Sequence, residues 1–68
     1  MPKKTVFVVS ALGQDIFYDG FSDVTQDIYG AFVYNTFVQA ELGSQEATFG
    51  SLGVNWGIFE VRTILYTY

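Results

Sequence analysis

The sequence predicts a small α+β domain, in which an antiparallel sheet carries one helix packed on one face. Three observations predict it. Runs of β-branched and aromatic residues lie near both ends of the chain, a stretch with helical spacing lies between them, and a length of 68 residues suits one domain, residues 1–68. The predicted order of elements is β-β-α-(β)-β, where the strand in parentheses is short.

The first predicted elements form a hairpin. Thr5–Leu12 is rich in β-branched and aromatic residues and contains no breaker, so it is predicted to be a strand with two solvated lysines before it. Residues 13–15 suit a turn, and Ile16–Tyr18 is the returning strand. Asp19-Gly20 ends that strand, because the pair favours the positive φ of tight turns.

The predicted helix follows the hairpin. Ser22-Asp23 is typical of a helix start, with Asp23 as the cap and Gln26 three residues later, as in a capping box. Apolar residues at helical spacing then continue to residue 42, and Gly43 is a typical C-terminal stop. These signals predict a helix over residues 23–42. Because Ala31–Leu42 also alternates like a strand, a short helix followed by a strand is the alternative.

The last third of the chain is predicted to be strand and turn. Ala47–Gly50 is compatible with a short strand, and Ser51–Trp56 lies between glycines and is predicted to be a loop. Ile58–Tyr68 is β-branched and aromatic, which predicts a long strand. Its two faces alternate, with Phe59, Val61, Thr63 and Leu65 on one and Ile58, Glu60, Arg62, Ile64, Tyr66 and Tyr68 on the other.

The composition favours binding over catalysis. The chain has no His and no Cys, which excludes histidine or thiol catalysis and a zinc site built on those ligands. So short a chain has little room for a cleft that would raise the pKa of a carboxyl group for acid–base work. It also lacks a calcium loop of the Asp-x-Asp-x-Asp-Gly kind and a Gly-Lys-Ser/Thr phosphate loop. We therefore expect a protein that is not an enzyme and holds no cofactor or metal.

The charge narrows the class of partner. The net charge is −4, and Lys3, Lys4 and Arg62 are the only cations. Duplex nucleic acid and anionic membranes attract clustered cations, so we expect neither as a direct partner and expect a protein with a basic surface instead. The sequence has no apolar run long enough for a transmembrane helix, and the lack of cysteine fits a reducing compartment. A cytoplasmic location is expected, in the host cell if the protein is viral.

Four aspartates recur at every fourth residue: Asp15, Asp19, Asp23 and Asp27. In one interpretation they form an acidic surface that imitates the phosphates of DNA, with Tyr18, Phe21 and Trp56 as aromatic anchors for a basic partner. In the other they are solvated charges in turns and at a helix start, and Trp56 fills the core. Gly20 interrupts the series, so only Asp23 and Asp27 are expected to share a helix face.

The apolar content predicts self-association. Half of the residues are hydrophobic and 15% are charged, whereas a chain of this size buries only about 60% of its unfolded surface. The sheet face away from the helix needs a cover, and we expect Ile64, Tyr66 and Tyr68 to form a homodimer or larger oligomer there. A structural subunit whose main partner is itself is therefore the alternative function. A weak single-strand binder is a third interpretation, which the shortage of cations disfavours.

In size, acidity and predicted order of elements, the chain resembles small phage-encoded inhibitors. One group blocks uracil-DNA glycosylase as an acidic, aromatic dimer that imitates DNA, and another blocks host RNA polymerase with a β-β-α-β domain. The likeness concerns composition and layout, and it assigns no role to an individual residue. It implies a non-enzymatic interaction protein, such as a viral inhibitor of a host nucleic-acid-handling protein.

Overall fold

A computed structural model of the chain describes residues 2–67, with the backbone alone at residue 67. The elements of this part are β1 (Lys3–Ala11), β2 (Phe17–Tyr18), β3 (Val24–Thr25), a 3₁₀ turn (Ile28–Gly30), α1 (Phe37–Phe49), α2 (Ser51–Trp56) and β4 (Phe59–Thr67). The strands form one antiparallel sheet in the order β3-β2-β1-β4. The predicted fold class, an antiparallel sheet with one main helix on one face, is confirmed.

The two long strands, β1 and β4, form the longest strand pair of the sheet, with β4 at its edge. β1 pairs with β4 along its whole length, from Lys3 opposite Thr67 to Ala11 opposite Phe59. Alternate residues of these strands point to opposite faces of the sheet. On the face that carries the helices, Val9, Ala11 and Phe59 pack with Ala47 of α1 and Leu52 of α2. On the other face Val8 and Phe17 pack with Ala31, and Ile64 packs against them. The alternation predicted for β4 therefore places Phe59 and Ile64 on opposite faces, as observed.

The main helix is capped at Thr36 and packs through small residues. The Thr36 hydroxyl oxygen accepts a hydrogen bond from the Gln39 backbone N–H at 3.3 Å. The buried positions of α1 lie three and four residues apart: Ala40, Gly43, Ser44 and Ala47. A Cβ at position 43 would overlap the Tyr34 ring, so glycine is required where the helix and Tyr34 meet.

The predicted helix over residues 23–42 is wrong in position. Val24–Thr25 is the strand β3, and residues 31–36 are not helical, with Tyr34 bridging Phe7 of β1. Asp23 does not cap a helix. Its carboxylate accepts a hydrogen bond from the Val24 N–H instead, and β-branched Val24 and Thr25 suit the strand pairing that β2 offers. Neither alternative for Ala31–Leu42 describes that segment, because the helix begins inside it.

The helix also continues well beyond the predicted stop. Gly43, predicted as a C-terminal stop, lies in the middle of α1, and the predicted short strand at Ala47–Gly50 is the end of that helix. Ser51–Trp56, predicted as a loop, is α2. Gly43 is required because Tyr34 packs closely against it, not because the helix ends there. The sequence alone does not distinguish a glycine required by packing from a glycine that terminates a helix.

Candidate protein-interaction surface

The β2–β3 turn is organised by the carboxylate of Asp19. Its Oδ1 accepts hydrogen bonds from the N–H groups of Phe21 at 2.7 Å and Asp23 at 3.2 Å, while the Asp19 N–H donates to the Asp23 carbonyl at 3.1 Å. Gly20 has a φ of 83°, and a Cβ there would overlap the Phe32 side chain. The turn therefore holds Asp19 and Asp23 at its two ends and Phe21 between them.

The segment after β3 adds a third carboxylate and a second exposed ring. Asp27 caps the 3₁₀ turn by accepting a hydrogen bond from the Tyr29 N–H at 3.0 Å. Phe21 is 89% exposed and Tyr29 is 86% exposed. We call Asp19, Asp23, Asp27, Phe21 and Tyr29 the acidic hairpin surface. Its carboxylates are oriented by backbone N–H groups and its rings lie open to a partner.

Asp15 lies apart from this surface. It precedes β2, and its Oδ1 lies 3.6 Å from Nη1 of Arg62 on β4, with the Asp15 side chain 91% exposed. The Arg62 guanidinium also lies 5.7 Å from the centre of the Phe17 ring. The four aspartates thus do not form one continuous series. The expectation that Asp23 and Asp27 share a helix face is wrong, because the chain forms β3 between them.

Two of the predicted aromatic anchors are placed differently from Phe21. Tyr18 is only 4% exposed and belongs to the core between the sheet and the helices, so its ring is not available to a partner. Burial raises the pKa of the Tyr18 phenol, and the charge of Glu46 raises it further. Trp56 is exposed at the end of α2, just before the chain enters β4, and is not part of the β2–β3 turn.

Two of the three residues predicted for self-association, Ile64 and Tyr66, lie on β4. Ile64 is half-buried and Tyr66 is exposed, and together with Ile28, Tyr29, Val33 and Leu65 they line a groove of about 290 Å³. Tyr68 lies outside the described residues. The groove shows that the loop after β3 covers part of the sheet face away from α1. The area of that face left for a second copy is therefore smaller than the sequence analysis expected.

The sequence interpretation missed an apolar stripe on the outer side of α1. Val38, Leu42 and Phe49 are exposed on this helix, and at about 100° per residue they lie opposite the small buried residues. A second capping signal, Thr36 with Gln39 three residues later, marked the true helix start. The exposure of Tyr29 was also missed, since the 3₁₀ turn that exposes its ring was predicted to be helix.

Other kinds of site find no support in the described part of the chain. Residues 2–67 contain no group of three acidic, His or Cys side chains that could hold a metal ion. Neither α1 nor α2 has the length and apolar character needed to cross a membrane, a statement that also covers these residues alone. No protein-family model matches the chain, and comparisons with curated proteins and with solved structures give no significant match.

Proposed function

We propose that this chain is a non-enzymatic protein-interaction domain that binds a protein with a basic surface through the acidic hairpin surface. The observation that carries the proposal is the position of Phe21, which is 89% exposed in a turn bounded by Asp19 and Asp23. Aromatic side chains that can be fully desolvated are frequent anchors of interfaces. Carboxylates around such an anchor attract a basic partner and exclude an acidic one.

Preorganisation supports this assignment. Asp19, Asp23 and Asp27 each accept a hydrogen bond from a backbone N–H, so they are held in place before a partner arrives. A surface that is ordered in the free protein loses less conformational entropy on binding. The aspartates thus have two compatible roles: they shape the turn, and their remaining oxygens face a partner.

The finer proposal is that the partner is a nucleic-acid-handling protein and that this chain inhibits it by imitating DNA. Its support is the net charge of −4 with three cations, together with the small acidic and aromatic design that phage inhibitors share. A protein whose basic surface evolved for phosphates meets carboxylates with the same sign of charge. Under this proposal the chain acts in the cytoplasm of a host cell.

A capture experiment with matched variants tests this function. The wild-type chain is immobilised, exposed to bacterial lysate, and washed with or without competing duplex DNA. The Asp19→Asn/Asp23→Asn variant keeps the oxygen acceptors of the turn but lowers the negative charge by two. We expect this variant and Phe21→Ala to lose a captured nucleic-acid-binding protein that DNA also displaces.

The control for net charge is Glu41→Gln/Glu46→Gln, which changes the charge by the same amount on α1. We expect this control to retain the captured protein. Equal loss in both double variants would mean that capture depends on total charge, and would contradict a role for the hairpin. Capture that DNA does not compete would contradict the DNA-imitating part alone.

Self-association through β4 is a second candidate function, favoured by a specific observation. β4 is nine residues long and lies at the edge of the sheet, and its Leu65 and Tyr66 side chains are exposed. Open edges of this length readily accept another strand. A light-scattering mass that rises with protein concentration and does not fall with added salt is the expected result for an apolar assembly.

A further inference from the structure

The groove beside β4 continues into a second hollow on the same face of the sheet. This hollow has a volume of about 340 Å³ and is lined by Lys4, Val6, Val33, Asn35 and Tyr66. It shares two side chains, Val33 and Tyr66, with the groove of about 290 Å³. We call the two together the sheet groove. It lies on the face away from α1 and runs from the 3₁₀ turn at one end to Lys4 at the other.

Main-chain hydrogen bonds hold the floor and one wall of the sheet groove together. The Phe7 N–H and carbonyl both bond to Tyr34, at 3.0 and 2.8 Å, which fixes the segment that carries Val33 and Asn35 beside β1. In an antiparallel sheet, residues that bond to one neighbouring strand alternate with residues that bond to the other. Odd residues of β1 therefore bond away from β4, and even residues bond toward it. The groove is thus formed before a ligand arrives.

The same alternation gives the bonding directions of β4. Its even residues, such as Arg62 and Ile64, lie opposite even residues of β1 and bond inward. The main-chain groups that point to the open edge belong to the odd residues, among them Val61, Thr63, Leu65 and Thr67. Strand addition at this edge would use those main-chain groups, whereas a ligand in the sheet groove contacts side chains. The two kinds of binding are therefore separable by experiment.

The polar groups at the Lys4 end of the sheet groove are hydrogen-bond donors. Lys4 Nζ donates to Asn35 Oδ1 at 3.0 Å, which leaves further donors on the ammonium group and on the Asn35 amide nitrogen. Within residues 2–67, the Lys4 ammonium contacts this amide oxygen rather than a carboxylate, and none of the residues that line the groove is acidic. This end therefore suits a carboxylate, which accepts charge-assisted hydrogen bonds from such donors.

The opposite end of the sheet groove lies next to a carboxylate. Ile28 and Tyr29 line this end, and Asp27 directly precedes them and accepts a hydrogen bond from the Tyr29 N–H. A ligand with one carboxylate is therefore attracted toward Lys4 and repelled from the Asp27 end. Because the lining between the two ends is mainly apolar and aromatic, the rest of the ligand has to be apolar.

The open shape of the sheet groove favours a protein segment over a small molecule. Small-molecule sites enclose most of the ligand surface, whereas Tyr29, Leu65 and Tyr66 are exposed here. β4 is also the edge of the sheet, so no further strand of the described residues closes the groove beyond it. A groove that is elongated and open can hold the end of an extended segment while the rest of that chain continues outside.

We propose that the sheet groove binds an extended apolar segment of a partner protein that ends in a free C-terminal carboxylate. The carboxylate lies at Lys4 and Asn35, and the apolar side chains before it contact Val33, Ile64 and Tyr66. Capture of a C-terminal carboxylate by preorganised donors is a recurring mode of peptide recognition. This binding does not depend on the acidic hairpin surface, because Asp19, Asp23 and Phe21 take no part in it.

Peptide binding to the isolated chain tests the proposal, with chemical shifts of the protein as the measurement. The probes are acetyl-Leu-Val-Leu with a free carboxylate, the same peptide as its C-terminal amide, and octanoate. We expect shifts at Val33, Ile64 and Tyr66, and binding at least about threefold tighter for the free carboxylate, as for an exposed ion pair. The net charge of −4 favours the amide at long range, so this preference reports a local site.

Lysine variants with a matched control test the position of the carboxylate. Lys3 and Lys4 are neighbours on β1 whose side chains point to opposite faces of the sheet. We expect Lys4→Gln to abolish the preference for the free carboxylate and Lys3→Gln to retain it. Equal loss in both variants would show that the charge near the start of β1 matters and the position of Lys4 does not, which would overturn the proposal.

Valine variants test the apolar wall in the same way. Val33 lines the sheet groove, whereas Val38 is exposed on α1. Replacing a valine methyl group by a hydroxyl group keeps the shape of the side chain, so Val33→Thr should weaken binding of both peptides by about threefold through lost apolar contact. Val38→Thr should leave both unchanged. Equal weakening by the two variants, or shifts confined to α1, would overturn the groove as the binding site.

The remaining outcomes concern the occupant. Tighter binding of octanoate than of the free-carboxylate peptide would overturn a protein segment as the ligand. Shifts at Val33 and Tyr66 that grow with protein concentration in the absence of peptide would identify a second copy of the chain as the occupant, and would also overturn the proposal. Absence of shifts with either peptide up to its solubility limit would overturn the groove as a peptide site, while the capture experiment on the acidic hairpin surface would be unaffected.

Discussion

The two edges of this sheet are built differently. The β3 edge is two residues long and is flanked by Asp23 and Asp27, whereas the β4 edge is nine residues long and has Glu60 and Arg62 as its only charged residues. Short strands and flanking charges are the usual protection against strand addition. The comparison indicates that the acidic residues protect one edge and shape a side-chain surface there, while main-chain groups remain accessible at the other.

The largest expected effect comes from proline at two neighbouring positions of β4. Ile64→Pro removes an N–H that bonds inward to β1, and we expect it to lower the free energy of unfolding by about 3 kcal/mol. Thr63→Pro removes an N–H that points outward, so it is expected to cost the monomer less than about 1 kcal/mol while abolishing self-association. Urea unfolding and light-scattering mass measure the two effects. Similar destabilisation by both variants would contradict the assigned bonding directions.

A smaller effect is expected at the β3 edge. Asp19→Ala removes the acceptor of two backbone N–H groups in the β2–β3 turn, and we expect a loss of about 1 kcal/mol because these groups are exposed and water replaces part of the bonding. Asp19→Asn keeps an oxygen acceptor and serves as the matched control. Urea unfolding of both variants checks this, and an Ala variant as stable as the Asn variant would show that the carboxylate does not organise the turn.

The smallest expected effect is a loss of stability at alkaline pH, and it concerns two tyrosines of the core that lies between the two edges. Burial raises the pKa of the Tyr18 and Tyr34 phenols above the usual value of about 10. The folded state therefore favours the neutral phenols, and this contribution to stability is complete below about pH 10 and is lost as the pH rises through the folded-state pKa values. Thermal unfolding between about pH 9 and 11 should show the decline.

The matched control for this pH dependence is the Tyr18→Phe/Tyr34→Phe variant. It lacks both phenols and should lose less stability over the same alkaline range. If stability falls equally with pH in the wild type and in this variant, the two phenols do not cause the decline, and the claim that their burial does so is contradicted.

The sequence predicted the long strands well because their signal is local. β1 and β4 are runs of β-branched and aromatic residues, and their side chains alternate as the pattern requires. The position of α1 was not predictable from large apolar residues, because its buried positions are Ala, Gly and Ser and its large residues are exposed. Helix predictions assume that large apolar residues mark the buried face, and in α1 that face consists of small residues instead.

The candidate surface was predicted in part. The aspartates and Phe21 were named from spacing alone, but their grouping depends on which backbone N–H groups the carboxylates bind, and the Asp23–Gln26 pattern fits a helix cap as well as a turn. Tyr18 was misplaced for a related reason: its strand is so short that the residue's face could not be read from alternation. Tertiary contacts decided both cases.

The most direct test of the contrast between the edges is amide hydrogen exchange, measured by NMR at several protein concentrations. We expect protection of the outward Val61, Thr63 and Leu65 N–H groups to rise with concentration, while Arg62 and Ile64 stay protected throughout and Val24 and Thr25 of β3 do not change. Protection at Val61, Thr63 and Leu65 that is independent of concentration, or a concentration-dependent rise at β3 instead, would contradict it.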